Sequence, residues 1–199
     1  MKLLKNLFIF ALFLGSVSVP AQKLALKSNL LYDVNATINL GVEMALGRKV
    51  TLDVSGNYNG WTYAENRKMK HWLLQPELRW WTCDRFSGHF WGLHALAGQF
   101  NFNGMLPFTF GNRQVLAAVA PNGLAKYRYE GFISGFGVSY GYQWILGKRW
   151  SLEASIGLGY AYMDYNKFGC EKCAEKKGHN RSHYFGPTKA ALSIIYIIK

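Results

Sequence analysis

Residues 132–146 read Phe-Ile-Ser-Gly-Phe-Gly-Val-Ser-Tyr-Gly-Tyr-Gln-Trp-Ile-Leu, and their parity decides the fold. The even positions Phe132, Phe136, Val138, Tyr140, Tyr142, Trp144 and Leu146 are large and apolar, with Ser134 the exception. The odd positions Gly135, Gly137, Ser139, Gly141 and Gln143 are small or polar, flanked by Ile133 and Ile145. Successive side chains of a strand point to opposite faces, so a period of two is the signature of a strand with unlike faces. The next stretch repeats it: Trp150, Leu152, Ala154, Ile156, Leu158, Tyr160 and Tyr162 oppose Ser151, Glu153, Ser155, Gly157, Gly159, Ala161 and Met163. Each run spans about fifteen residues, well beyond the usual strand of a globular protein.

Working outward, the same alternation recurs at Ile38-Leu40-Val42-Met44-Leu46, at Leu52-Val54-Tyr58 and at Trp72-Leu74-Leu78-Trp80. It recurs more weakly at Leu24-Leu26-Leu30-Tyr32. The stretch 89–103 is ambiguous in phase, and 184–199 carries Pro187 near its start, where a missing donor is tolerated. Eight strands are predicted, at 23–33, 36–46, 50–59, 71–81, 88–103, 128–146, 150–165 and 184–198. Their connections alternate. Gly47–Lys49, Thr82–Ser87 and Gly147–Arg149 are turns, whereas Gly60–Lys70, Gly104–Tyr127 and Asn166–His183 are long; Asp33–Asn35 alone is short on the long side. The expected fold is therefore all-β: an eight-stranded, antiparallel, up-and-down transmembrane β-barrel with short periplasmic turns and longer external loops. Trp61, Trp80, Trp81, Trp144, Trp150, Tyr160 and Tyr162 fall near strand ends, as interfacial girdles require. The competing soluble barrel would put the same large residues inside, around a ligand.

Composition agrees with a barrel. The chain has 199 residues, 50% of them hydrophobic and only 17% charged, with 21 Gly. Mean hydropathy is nevertheless near zero, and no 18-residue apolar run follows the N-terminus, which excludes a helical membrane protein. Residues 1–21 read as a secretory signal: Lys2 and Lys5, then apolar Leu7–Val19, then Val19-Pro20-Ala21 at the cut. Residues 22–199 are then the barrel domain, and the expected location is the outer membrane. The net charge of +12 falls to +10 with the loss of Lys2 and Lys5. In that compartment the positive balance points to anionic surfaces rather than nucleic acid.

If apolar residues face lipid, the interior receives Lys27, Arg79 and Lys189 with Glu43, Asp53, Glu77 and Glu153. Eight strands enclose a space just wide enough for side chains, so these charges are expected to pair as a packed polar plug. A gated ion pathway or proton relay along the carboxylates is the sharper alternative. A solute pore would need about 16 to 18 strands.

Asn166–His183 holds Cys170 and Cys173 as C-x-x-C, followed by His179 and His183, among five cations and two acids. A local disulfide is the default in an oxidising compartment. Zinc held by these four residues is a weaker reading, because too few residues separate Cys173 from His179. A thioredoxin-like role would need a βαβ context. Cys83 lies on the turn side, away from that pair. Gly104–Tyr127 is apolar with scattered cations, as a partner-binding loop would be. Ser182 and His183 are adjacent in an extended chain and point apart, and no G-x-S-x-G occurs, so no catalytic residue is assigned.

Several stretches together carry a family resemblance: Lys27-Ser28-Asn29-Leu30-Leu31-Tyr32-Asp33, Gln75-Pro76-Glu77-Leu78-Arg79-Trp80-Trp81, Phe86–His94, Gly137–Tyr142, Trp150-Ser151-Leu152-Glu153 and Tyr184–Ala190. The chain resembles a domain-of-unknown-function family of small Gram-negative outer-membrane barrels. The resemblance covers nearly all of the chain after residue 21. It implies an OmpA-like barrel without an established activity. Genes of that family often sit near fimbrial genes, which implies a role in surface assembly. The chain ends Tyr196-Ile197-Ile198-Lys199, whereas many such barrels end in an aromatic residue.

The function expected from the sequence is structural or interactive: a monomeric envelope barrel, surrounded by outer-membrane lipid. It binds a surface protein or an acidic glycan through external loops, without a cofactor. A lipid-modifying outer-membrane enzyme and a small ion-conducting pore are the alternatives.

Overall fold

The computed structural model describes residues 24–62, 68–103, 109–110, 113–114, 127–169 and 176–198. Eight antiparallel strands close a barrel: β1 (Leu24–Asn29), β2 (Ile38–Ala45), β3 (Val50–Asn59), β4 (Lys68–Trp81), β5 (Gly88–Asn103), β8 (Tyr127–Ile145), β9 (Trp150–Gly169) and β10 (Lys176–Ile198). A two-residue ribbon, β6 (Thr109–Phe110) with β7 (Arg113–Gln114), lies in the connection between β5 and β8. Every neighbour around the wall is an antiparallel partner, and β1 pairs with β10 to close the ring. The predicted all-β, eight-stranded, antiparallel up-and-down ring is thus the observed architecture. The expected signal, residues 1–21, lies outside the described residues.

Register fixes the geometry. Followed around the wall from Ala25, successive partners are Glu43, Asp53, Glu77, His94, Gly137, Gly159 and finally Gly186. Across the seam, however, Ala25 pairs with Ile197. The offset from 186 to 197 is eleven positions, one of them the extra residue of a bulge between Pro187 and Lys189. A stagger of ten remains, which tilts the strands steeply and leaves an interior that side chains fill. The bulge also reverses parity: Phe185 and Pro187 point outward, while Thr188 and Lys189 both turn inward.

Three boundaries differ from the sequence reading. First, β1 stops at Asn29, where the Asn29 side chain accepts from Leu31 N at 3.1 Å and starts a one-turn helix, α1 (Leu30–Asp33). The connection from β1 to β2 is therefore not the short turn expected at Asp33–Asn35. Second, Asn166–His183 is mostly strand rather than loop. β9 runs to Gly169 and β10 begins at Lys176, with Asn166 facing His179. Third, β4 begins at Lys68, earlier than the expected 71.

Strand length climbs in ring order from β1 to β10: 6, 8, 10, 14, 16, 19, 20 and 23 residues. Each turn-side end lies level with the next, so the far rim rises as a spiral and drops abruptly at the β1–β10 seam. There the Asn29 side chain bridges the step, donating to Ala190 O and accepting from Leu192 N.

The wall is apolar outside and polar inside. Trp80, Trp91, Trp144 and Trp150 are exposed toward the turn end. Tyr58, Trp72, Phe136 and Phe185 are exposed toward the long-connection end, Phe185 at 83%. Leu40, Leu74, Leu93, Val138, Ile156 and Leu158 fill the band between them. Among the described residues no helix is long and apolar enough to cross a membrane.

Candidate functional site

The barrel interior has three layers along its axis. At the turn end an apolar base is built from Ala25, Ala45, Phe86 and Ile195, with the tilted rings of Trp81 and Phe90 packed above. Phe86 sits at φ 62°, a costly conformation for a bulky residue, and its buried ring offsets that strain. Trp81 Nε1 donates to Thr51 Oγ1 at 2.9 Å, so the indole is both buried and satisfied.

The middle layer gathers all seven charges predicted for the interior. Glu43, Asp53 and Glu77 face one another directly across β2, β3 and β4, an arrangement that three like charges would oppose. Arg79, 1% exposed, resolves it. Its Nη1 reaches Glu43 at 3.0 Å and Glu153 at 2.8 Å, its Nη2 reaches Asp53 at 2.8 Å, and its Nε reaches Glu77 at 2.6 Å. One planar guanidinium, with five donors in a fixed fork, thus binds four carboxylates from four strands. Lys27 adds bonds to Glu43 at 2.7 Å and Glu153 at 2.6 Å, and Lys189 bonds Glu77 at 2.6 Å. Below, the Phe90 ring lies 4.4 Å from the guanidinium carbon.

Small residues make room for this layer. Gly92 faces Arg79 on β4 and Ser139 on β8, and a Cβ there would collide with Ser139 Oγ and the Glu77 carboxylate. Ser139 Oγ donates to Glu77 Oε1, and Thr51 Oγ1 donates to Glu43 Oε1 at 2.5 Å. His94 Nε2 meets Thr188 Oγ1 at 2.8 Å. Sequence parity did not single out Ser139, His94 or Thr188. His94 lay in the strand of ambiguous phase, and Thr188 turns inward only through the bulge. Pro187 was the available signal, because a proline within a strand often marks a bulge.

Above the charges a small pocket of about 30 Å³, open to solvent, is lined by Tyr32, Asn39, Asn57, Gln75 and Ala190 as well as by the ion pairs. Asp53 Oδ1 and Asn57 Nδ2 are buried there without a protein partner. The layer as a whole is an ion-pair clasp in which each carboxylate has a cation.

The other predicted residues are dispersed. Cys170 and Cys173 lie outside the described residues. His179 faces Asp164 at 3.4 Å and Asn166 at 3.1 Å on the projecting β9–β10 hairpin. His183 Nδ1 meets Tyr160 Oη at 2.5 Å and packs against Tyr162. Among the described residues no group of three or more His, Cys, Asp or Glu is arranged to hold a metal. Cys83 is an exposed free thiol on the turn side.

A family model described as "Protein of unknown function (DUF3575)" matches residues 7–198. No curated protein and no solved structure matches the chain.

Proposed function

We propose, from the premise that this chain belongs to the DUF3575 family of proteins of unknown function, that it is an integral outer-membrane barrel serving as a rigid scaffold for surface binding. One observation carries this reading: the wall is inverted relative to a soluble protein. Arg79, Glu43, Glu77 and Glu153 are almost fully buried inside, while Trp91, Leu93, Phe136, Val138, Ile156 and Leu158 stand exposed outside. In water such a continuous apolar band would be an aggregation site, whereas in lipid it is the outer face of a barrel. A closed barrel also satisfies every ladder hydrogen bond without water. On this reading the short turns face the periplasm and the rising rim faces outward.

The external work falls to the rim. Arg128, Lys167, Lys176, Lys177 and Arg181 project on β8, β9 and β10 beyond the aromatic band, against Glu130 and Asp164. These features suit an acidic glycan or an acidic surface protein.

Two experiments test the proposal. A folded barrel in outer-membrane extracts should migrate differently on a gel before and after boiling. In addition, Cys83 in a Cys170→Ser/Cys173→Ser background should resist a membrane-impermeant maleimide in intact cells and react after permeabilisation. A soluble protein without a mobility shift would reject membrane insertion, and labelling of intact cells would reverse the orientation. Separately, deletion of 104–126 should leave insertion intact and lower retention on an acidic polysaccharide column. Unchanged retention would remove that connection from the binding surface.

A further inference from the structure

The two shortest hairpins share one construction. Leu46-Gly47-Arg48-Lys49 joins β2 to β3, and Leu146-Gly147-Lys148-Arg149 joins β8 to β9. In the first, Leu46 N and Gly47 N both donate to Val50 O; in the second, Leu146 N and Gly147 N both donate to Trp150 O. In each, the carbonyl of the last cation accepts from the next strand at 2.8 Å, Trp81 N to Lys49 O and Ile197 N to Arg149 O. Each turn is thus pinned on two sides and holds an exposed leucine beside two exposed cations.

Ring order sets these turns across the barrel from each other, and the β4–β5 turn with Arg85 lies between them. The three turns, 46–49, 82–87 and 146–149, carry five cations and one acid, Asp84, which pairs with Arg48 on the surface. Arg149 Nη1 also donates to Tyr196 Oη at 2.9 Å, beside the Trp150 ring. The cations therefore sit at the edge of the aromatic girdle, next to Leu46, Ile145 and Leu146, which are 57%, 61% and 66% exposed.

Solubility alone asks for charge but not for exposed leucines beside it. An aromatic ring, an aliphatic wedge and a pair of cations at one level match the acyl–headgroup boundary of an anionic lipid. We infer that the turn end of the barrel is a binding ring for the phosphodiester headgroups of anionic phospholipid in the periplasmic leaflet. The inference rests on the membrane reading above. Short pinned turns keep the cations at headgroup depth and do not reach a distant polymer.

The test uses the intrinsic tryptophans of the whole protein, several of which lie at this level. The protein is reconstituted into phosphatidylcholine vesicles containing either brominated phosphatidylcholine or brominated phosphatidylglycerol, and fluorescence quenching gives the relative association of the two lipids. Wild type should favour phosphatidylglycerol, and high salt should erase that preference. A quadruple variant, Arg48→Gln/Lys49→Gln/Lys148→Gln/Arg149→Gln, should lose the preference at low salt, so that both lipids quench alike. If the quadruple variant fails to fold, the double variant Lys148→Gln/Arg149→Gln and the salt titration of wild type give the same readout.

Equal preference in wild type and variant, or no preference in wild type, overturns the inference while quenching by either lipid upholds insertion. Absence of quenching by both lipids overturns the membrane reading with it. Binding of wild type, but not of the variant, to purified cell-wall sacculi, with lipid preference unchanged, would assign the ring to the wall polymer instead.

Discussion

Arg79→Ala should be the most damaging single change in the chain. It leaves Glu43, Asp53, Glu77 and Glu153 converging on an empty space, with only Lys27 and Lys189 to balance them. Removing one partner from a buried ionic network costs about 3–5 kcal/mol, because the remaining charges stay desolvated. Denaturant unfolding of the reconstituted barrel, followed by tryptophan fluorescence or by the heat-dependent gel shift, should show a midpoint far below wild type. Arg79→Lys should recover only part of the loss, since an ammonium offers three donors where four carboxylates converge. Wild-type stability in Arg79→Ala would mean that water or small ions, rather than the guanidinium, organise the layer.

Phe90→Ala should rank second. Phe90 is fully buried, packs against Trp81 with centroids 4.9 Å apart and lies under the Arg79 guanidinium. Truncation opens a void between the apolar base and the charges and removes the cation–π contact, for an expected loss of about 3–5 kcal/mol. Phe90→Leu keeps most of the volume and should cost clearly less. The same unfolding assay separates the two, and equal losses would show that the contact with Arg79, not the packing, dominates.

The wall was legible in the sequence wherever its two faces meet different surroundings. Phe132–Leu146 and Trp150–Tyr162 alternate because one side is apolar band and the other is crowded interior. The seven interior charges could be read for the same reason. Alternation disappears where the surroundings become alike. Residues 176–183, Lys-Lys-Gly-His-Asn-Arg-Ser-His, form a strand beyond the band, where neither face is apolar. That stretch therefore resembles a loop in sequence although it pairs with β9. At the other end of the ring, Leu30 and Tyr32 prolong the period of β1, and only the capping side chain of Asn29 marks the change to helix. The bulge at Thr188 was hidden because a single inserted residue shifts phase without altering composition.

The spiral rim also constrains how the barrel can form. Seven of the eight strand pairs join neighbours in the chain, whereas the last joins Leu24 to Ile198 through only six pairs of residues. Closing so long a loop carries an entropic cost that six ladder positions must offset, so that step belongs late in assembly. Lys27 stands on the short strand at that closure, and its ammonium reaches Glu43 on one side and Glu153 on the other. The charges inside the barrel thus act as a latch, engaging when the first strand arrives and holding a join that backbone pairing alone leaves brief.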